Sequence, residues 1–233
     1  MKDLFGKALL DYFNDEYVED LITATNISSE DVLPLPYLFR DYDAMPKIEQ
    51  KALQLAKGDI LDVGCGAGSH ALYLQERGMN VKAIDLSRGA IEVCRKRGLK
   101  QAEVLNICDE SGTYDTIIIL MNGSGIFKTV SQTPRYLNHI KSLLNTDGQI
   151  LIDSSDIIYM FDDDEIESLK NQTDKYYGEL DYFISYKGET EEVMAMLYLD
   201  FETLKKSALE TGLQCEMVAK GPHFDYLAKL TRL

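Results

Sequence analysis

The feature that most constrains how this chain can fold is an apolar run that leads directly into three glycines and then into a helical pattern. The run at residues 60–63 is followed by Gly64, Gly66 and Gly68. Glycines at this spacing let the chain turn sharply at the end of a strand and approach a ligand closely, since a side chain would block both. The helix that follows begins with unpaired N–H groups, which suit polar or anionic ligand atoms. The pattern therefore predicts a strand–turn–helix binding site at residue 64.

An acidic residue follows at the spacing of a nucleoside site. Asp85 stands about 20 residues after Gly64, at the end of the next predicted strand, where a carboxylate can accept hydrogen bonds from two ribose hydroxyls. The glycines alone are equally compatible with a structural turn or with the phosphate loop of a dinucleotide-dependent dehydrogenase. In the dinucleotide fingerprint, however, the third glycine would fall at Ser69. Together with Asp62, the pattern describes a site for an adenosine-containing cofactor.

From residue 58 onward, short β-rich runs alternate with helical patterns, which is typical of a parallel sheet covered by helices. Helices between the strands end at Gly78 and Gly98. Because the turn at residues 221–222 is too short for a helix, the last two strands must be antiparallel neighbours. The predicted strands of this sheet are Asp59–Val63, Asn80–Ile84, Ala102–Ile107, Asp115–Met121, Gly148–Asp153, Leu213–Ala219 and Asp225–Thr231.

These elements predict an α/β fold, a doubly wound, Rossmann-like and mostly parallel seven-stranded sheet with an antiparallel last strand. Residues 58–233 form the cofactor-binding domain, with an insertion at about 156–200 that contributes an antiparallel strand pair, Leu180–Tyr186 and Val193–Leu199. Residues 1–57 are predicted to form an N-terminal helical cap or lid of the same domain, with an extended stretch at residues 33–36.

The order of motifs resembles the class I S-adenosylmethionine-dependent methyltransferases, and the likeness covers most of residues 58–233. The resemblance implies that S-adenosylmethionine is the cofactor and that the protein is an enzyme that transfers its methyl group. One departure is N-T-D-G at residues 145–148, where the family often has a proline and paired glycines. The matching motifs are L-D-V-G-C-G-A-G at 61–68, A-I-D-L-S at 83–87, N-I-C-D at 106–109, Y-D-T-I-I at 114–118 and L-L-N-T-D-G-Q-I at 143–150.

The resemblance also implies which residues bind the cofactor. Asp62 would orient its methionine end, Asp85 its ribose and Asp109 its adenine. Asp62 could instead stabilise the turn by bonding backbone amides, and Asp109 could be a solvated loop carboxylate. The complete set of expected cofactor-binding residues is Tyr42, Asp62, Gly64, Cys65, Gly66, Gly68, Asp85, Leu86, Cys108, Asp109 and Asn122.

The segment at residues 37–46 is the candidate cover of the site. Its aromatic side chains, Tyr42 among them, could close over the sulfonium by cation–π attraction, and Arg40 could pair with the cofactor carboxylate. The alternative is a packed linker. Tyrosines of the insertion, such as Tyr182 and Tyr186, could line an acceptor pocket or simply face a sheet.

The amino-acid composition indicates which kinds of partner the protein can have. Thirty-nine acidic residues against 24 basic ones give a net charge of −15, which repels a nucleic-acid backbone. The longest apolar stretch, residues 117–121, is far shorter than the roughly 20 residues that cross a bilayer, and the N-terminus is too acidic for a signal peptide. We therefore expect a cytoplasmic protein with no membrane or nucleic-acid partner. The four cysteines form no C-x-x-C pair, so no metal site is expected; the oligomeric state stays open.

The acceptor is expected to be a small molecule. Residues 121–125 read M-N-G-S-G and lack the D/N-P-P-Y/F motif that resembling amino-nitrogen methyltransferases of DNA or glutamine use. If the acceptor must lose a proton, only His70, His139 and His223 titrate near neutral pH, and each is also explained as a structural residue, with His139 exposed. No catalytic residue is assigned. Two other functions stay open, an NAD(P)-dependent oxidoreductase and a non-catalytic protein that binds an adenosine cofactor.

Overall fold

The computed structural model describes residues 2–162, 164–165 and 175–233. The helices in chain order are α1 (Leu4–Phe13), α2 (Leu35–Leu38), α3 (Lys47–Leu55), α4 (Ser69–Glu76), α5 (Arg88–Lys96), α6 (Thr133–Ser142) and α7 (Phe201–Glu210). The strands in chain order are β1 (Leu21–Thr25), β2 (Ser28–Leu33), β3 (Asp59–Val63), β4 (Asn80–Asp85), β5 (Ala102–Val104), β6 (Tyr114–Ile119), β7 (Leu144–Ser155), β8 (Glu179–Tyr186), β9 (Glu189–Thr190), β10 (Met194–Leu197), β11 (Leu213–Lys220) and β12 (Asp225–Arg232).

The larger sheet has seven strands in the order β5-β4-β3-β6-β7-β12-β11. Strand β3 is parallel to β4 and β6, whereas β12 is antiparallel to β7 and β11. Neighbouring residues of β3 serve opposite faces: Ile60 packs in the cluster formed with α3, α4 and α5, and Leu61 in the cluster formed with α6 and α7. Because apolar side chains are buried on both faces of each central strand, helices must cover both sides. The doubly wound fold with its antiparallel last strand is confirmed.

A second, antiparallel sheet stands beside the first, in the order β10-β8-β1-β2, with β9 also paired to β8. The inserted strand pair, β8 and β10, is confirmed. The N-terminal segment contains strands as well as the predicted helices, because β1 and β2 join this sheet, and Thr23 of β1 is paired with Ile184 of β8. The β-branched residues of β1 suit a strand, but β8, which joins the β1–β2 hairpin to the sheet, lies far along the chain. Residues 163 and 166–174 of the predicted insertion lie outside the described residues.

Helix α1 joins the two sheets. Its buried residues Leu4, Ala8 and Leu9 pack in one cluster with Ala67 of the glycine-rich turn and Ile184 of the second sheet. The stretch at 33–36 is extended only as far as Pro34, after which α2 begins. Within the described residues, no helix combines the length and apolar character needed to cross a membrane. Through helix α1, the second sheet packs against the larger sheet next to the glycine-rich turn.

Candidate cofactor site

The glycine-rich turn has the backbone conformation that its sequence predicts. Gly64, Gly66 and Gly68 have φ angles of 72°, 53° and 83°, a region that side chains disfavour. The amide of Gly64 donates to the carbonyl of Ile84 at 2.9 Å, which ties the turn to β4. A Cβ atom placed on Gly64 would meet no atom within 4 Å. The space beside this exposed glycine is therefore open to a ligand.

Asp85 lies at the end of β4, directly beside the turn. Its Oδ2 accepts a hydrogen bond from the Gly66 amide at 2.9 Å, and its Oδ1 accepts one from the Ser87 amide at 2.8 Å. Burial raises the pKa of Asp85 above its usual value, although these amide bonds act to lower it. A carboxylate has about four acceptor positions, so two remain for a ligand. Leu86, the next residue, has 55% of its surface exposed.

Asp62 is the most isolated acidic group of the site. It is 2% exposed, and its Oδ2 atom has no hydrogen-bond partner. Burial raises the pKa of Asp62 to about 6, and the neighbouring His70 acts in the opposite direction. Leaving a buried acceptor unpaired costs roughly 1–3 kcal/mol, so a donor delivered by a ligand would relieve this cost. If Asp62 only accepted hydrogen bonds from amides of the turn, the lack of a partner for its Oδ2 atom would be unexplained.

A buried ionic cluster of Arg40, Glu49 and His70 lies under the same end of the sheet. Glu49 Oε2 lies 2.5 Å from Arg40 Nη2 and 2.7 Å from His70 Nε2. Burial acts to raise the pKa of Glu49, but His70 and Arg40 hold it below its usual value. The Nε atom of Arg40 has no partner. Sequence reasoning missed Glu49, because an acidic residue within helix α3 carries no motif.

A second acid that sequence reasoning missed, Asp153, shapes the turn after β6. Its carboxylate accepts hydrogen bonds from the amides of Met121 at 3.0 Å and Gly123 at 2.8 Å. Met121 and Asn122 both adopt positive φ angles, 68° and 57°, which costs free energy in residues other than glycine. Burial raises the pKa of Asp153 to about 6. The sequence feature that could have identified Asp153 is its position at the end of a predicted buried strand.

The side chain of Asn122 is engaged away from the turn. Its Oδ1 accepts a hydrogen bond from Ser154 at 3.2 Å, and its Nδ2 donates to the carbonyl of Leu197 at 3.4 Å. Ser124 donates to the same carbonyl at 2.8 Å. Asn122 therefore connects the larger sheet to β10, and its backbone rather than its amide group borders the site.

The segment predicted to contact adenine forms a short turn after β5. The predicted strand ends early, at Val104, and residues Ile107–Asp109 make a 3-10 turn in which Cys108 is half-buried and Asp109 exposed. His139 Nε2 lies 2.8 Å from the carbonyl of Ile107, so the expectation that His139 is exposed is wrong: it is half-buried and supports this turn.

Two predicted site residues do not present their side chains to the turn. The ring of Tyr42 stacks on Tyr73, with ring centroids 4.2 Å apart, and its hydroxyl accepts a hydrogen bond from Gln54 at 2.8 Å. Tyr42 is thus packed against α3 and α4, as a packed linker requires. The thiol of Cys65 is buried 3.8 Å from that of Cys94, which leaves its backbone at the site.

The strand order, the glycine-rich turn after β3 and the acid at the end of β4 define a Rossmann-like class that binds a nucleoside cofactor at the carboxyl edge of its sheet. The chain belongs to the S-adenosylmethionine-dependent methyltransferase family, whose cofactor is S-adenosylmethionine. It is 42% identical to a methyltransferase of this family from Bacteroides fragilis that was solved with S-adenosylhomocysteine. The likeness covers 99% of this chain and 95% of that one, with a TM-score of 0.91.

Other comparisons agree on the family and the fold. Residues 60–148 match the model of the methyltransferase domain. An uncharacterized methyltransferase from Staphylococcus carnosus is 27% identical over 76% of this chain and 80% of its own length. The chain spans about half the length of the first curated relatives that it matches, 50% and 48%. The structure of DesVI from Streptomyces venezuelae, 16% identical, covers 85% of this chain and 96% of its own, with a TM-score of 0.60, and shows the fold alone.

Proposed function

We propose that this protein transfers the methyl group of S-adenosylmethionine to a small-molecule acceptor by in-line displacement at the carboxyl ends of β3, β6 and β7. The observation that carries the proposal is the open space beside Gly64, two residues after Asp62, whose buried Oδ2 has no partner. An unpaired buried carboxylate next to a nucleoside-type turn suits a ligand with a nucleoside end and a cationic end.

The adenosine end of the cofactor would lie along β4. In this arrangement the two free acceptor positions of Asp85 receive the ribose hydroxyls, and the exposed side chain of Leu86 packs on the adenine. Gly64 and Gly66 allow the backbone of the turn to approach the ribose. Cys108 and Asp109 would border the far edge of the adenine.

The methionine end would lie over the buried ionic groups. Its ammonium group suits Asp62 Oδ2, and its carboxylate suits Arg40 Nε, since both atoms are buried and unpaired. Glu49 holds Arg40 and His70 in place. Charge-assisted hydrogen bonds of this kind are about twice as strong as neutral ones, so they would fix the orientation of the cofactor.

When bound, S-adenosylmethionine supplies a methyl group on a positively charged sulfur, which is ready for displacement. The task of the protein is then to align the acceptor and exclude water. The turn held by Asp153 places the backbone of residues 121–123 at the end of β6, where it can orient the acceptor. Residues 1–57 and the insertion at 156–200 would together form the cap of the acceptor site.

A small molecule is the acceptor that these features favour. The net charge of −15 opposes binding of a nucleic acid, and the hydrogen bonds of Asn122 and Ser124 to the Leu197 carbonyl hold β10 of the second sheet against the turn after β6. One relative, named 2-heptyl-1-hydroxyquinolin-4(1H)-one methyltransferase, from Mycobacteroides abscessus, is 37% identical over 26% of this chain. The substrate in that name is a small molecule.

Calorimetric titration with S-adenosylmethionine, S-adenosylhomocysteine and NADH tests the proposal. We expect micromolar binding of the first two and none of NADH. Tight binding of NADH alone would instead favour an oxidoreductase. A radiolabelled methyl donor and a panel of amines, phenols and carboxylic acids then test transfer; binding without any transfer would favour a non-catalytic role.

A further inference from the structure

The first residues of the chain are tied to the helix that follows Asp85. The carboxylate of Asp3 caps α1, accepting from the Gly6 amide at 3.1 Å, and also accepts from the Gly89 amide of α5 at 2.9 Å. We name residues 2–6 the N-terminal strap. The strap therefore lies on the same helix N-terminus that begins behind the proposed ribose site.

Helix α1 meets α5 through two glycines. A Cβ atom on Gly89 would lie 2.5 Å from the backbone of Gly6, and a Cβ atom on Gly6 would lie 2.4 Å from Ser87 Oγ. Real Cβ atoms do not approach this closely, so the two backbones are in direct contact. The position of the strap is thereby set relative to α5 and to Asp85.

This contact places Phe5 next to the glycine-rich turn. Its Cζ atom lies 3.7 Å from where a Cβ atom of Gly66 would stand, whereas the corresponding space at Gly64 is open. Phe5 is half-buried. An aromatic ring thus closes one side of the turn at the glycine whose amide binds Asp85.

The strap is also held by the second sheet. Glu191, which follows β9 and is 7% exposed, accepts from the Leu4 amide at 2.6 Å and from the Lys2 amide at 3.0 Å. One carboxylate therefore satisfies two amides that helix α1 cannot use internally. The strap is bonded at one side to α5 and at the other to the second sheet.

We propose that the ring of Phe5 is a wall of the adenosine pocket and that the N-terminal strap, held by Glu191, must detach for the cofactor to exchange. This inference rests on the proposed function, since it assigns further residues to the same cofactor site. The ring excludes water from the ribose side of the turn, and the Glu191 bonds keep it there. Phe5 sets affinity, and Glu191 sets the rate of exchange.

The affinity arm compares Phe5→Ala and Phe5→Leu with Phe13→Ala, a control near the other end of α1 that is also half-buried. All proteins carry their affinity tag at the C-terminus, so that no tag residues precede the strap. We expect Phe5→Ala to raise the dissociation constant of S-adenosylhomocysteine about tenfold, Phe5→Leu to restore part of the affinity, and Phe13→Ala to leave it unchanged. Equal affinity in Phe5→Ala would overturn the proposal, and tighter binding would show that the ring competes with the cofactor.

The rate arm compares Glu191→Gln with Glu192→Gln, the exposed glutamate that follows it in the chain. We expect Glu191→Gln to speed dissociation of S-adenosylhomocysteine severalfold in stopped-flow displacement while the dissociation constant changes little, because both rates rise. Unchanged rates would overturn the role of the strap. If the unaltered protein does not bind S-adenosylhomocysteine, the proposed function itself fails; if it binds and the Phe5 variants match it, only this inference fails.

Discussion

Nε2 of His70 lies 2.7 Å from Oε2 of Glu49, and both side chains are buried. Glu49 also accepts from Arg40, so one buried carboxylate contacts both a guanidinium and an imidazole beneath the proposed cofactor site. A buried charge that loses its partner is costly. The cluster therefore links the stability of the fold to the position of Arg40, which is proposed to bind the methionine end of the cofactor.

Replacing Glu49 by Gln should lower the free energy of unfolding by about 3 kcal/mol, because the buried guanidinium of Arg40 then loses its anion. Urea denaturation measures this. The control is Glu92→Gln, which removes an exposed partner of Lys96 and should have little effect. If both variants lose the same small amount, the buried cluster does not contribute in this way.

The lowered pKa of Glu49 also predicts a direction for the pH dependence of stability. The folded protein holds the ionised form to lower pH than the unfolded chain does. The contribution of Glu49 is therefore complete above its unfolded pKa and is lost as the pH falls through its folded pKa. Between pH 7 and pH 3, the free energy of unfolding should fall less in Glu49→Gln than in the unaltered protein.

Replacing Asp62 by Asn should weaken binding of S-adenosylmethionine about tenfold while leaving the free protein as stable or more stable. The Oδ2 atom of Asp62 has no partner in the structure, so neutralising the buried carboxylate costs the free protein little, but the ammonium of the cofactor loses its anion. Calorimetry and thermal unfolding report the two effects. Loss of stability without loss of affinity would assign Asp62 to the turn alone.

The pKa of Asp62, which burial raises to about 6 against the opposing effect of His70, should make cofactor binding depend on pH. Near pH 6 the free protein is partly protonated at Asp62, and pairing with an ammonium group requires the carboxylate. Binding should therefore release a proton, and affinity should increase as the pH rises through 6. Titrations in buffers of different ionisation enthalpy measure the release, which should be smaller in Asp62→Asn.

Replacing Asp85 by Ala should weaken cofactor binding by about 1.5–3 kcal/mol, the loss expected when hydrogen bonds to a charged group disappear. Since Asp85 also accepts from Gly66 and Ser87, Asp85→Asn is the milder companion variant. Calorimetry with S-adenosylhomocysteine measures both. Unchanged affinity in a folded Asp85→Ala protein would remove this residue from the site.

Gly64→Ala and Gly78→Ala form a matched pair. Both glycines have positive φ angles, 72° and 84°, and a Cβ atom on either would meet nothing within 4 Å. Each substitution should lower the free energy of unfolding by roughly 1–2 kcal/mol, because alanine is strained at a positive φ angle. Only Gly64→Ala should also raise the dissociation constant of S-adenosylhomocysteine, because its methyl group enters the space assigned to the cofactor. Equal affinity in the two variants would contradict that assignment.

Much of the larger sheet could be predicted from the sequence, because residues close together in the chain indicate its strands and turns. Strand β3 begins and ends where it was predicted, and the glycines of the turn have the positive φ angles that their pattern requires. Asp62 and Asp85 meet at one edge because parallel strands that neighbour each other end on the same side. Strand β7 was longer than predicted, from Leu144 rather than Gly148, because its pairing with β6 begins before the turn residues.

Local patterns could not decide which distant segments would pair or which way a ring would turn. Strands β1 and β2 become part of a sheet only through β8, far along the chain, and Tyr42, an aromatic residue in the expected segment, turned towards Tyr73. The roles of Glu49, Asp153 and Phe5 likewise arise from contacts between segments remote in sequence. The sequence by itself determined the class of fold and the nucleoside-type turn, because backbone conformation and periodicity are set by neighbouring residues. Only the tertiary structure decided which charges are buried together and what closes the site, because those depend on which apolar faces meet when the chain packs.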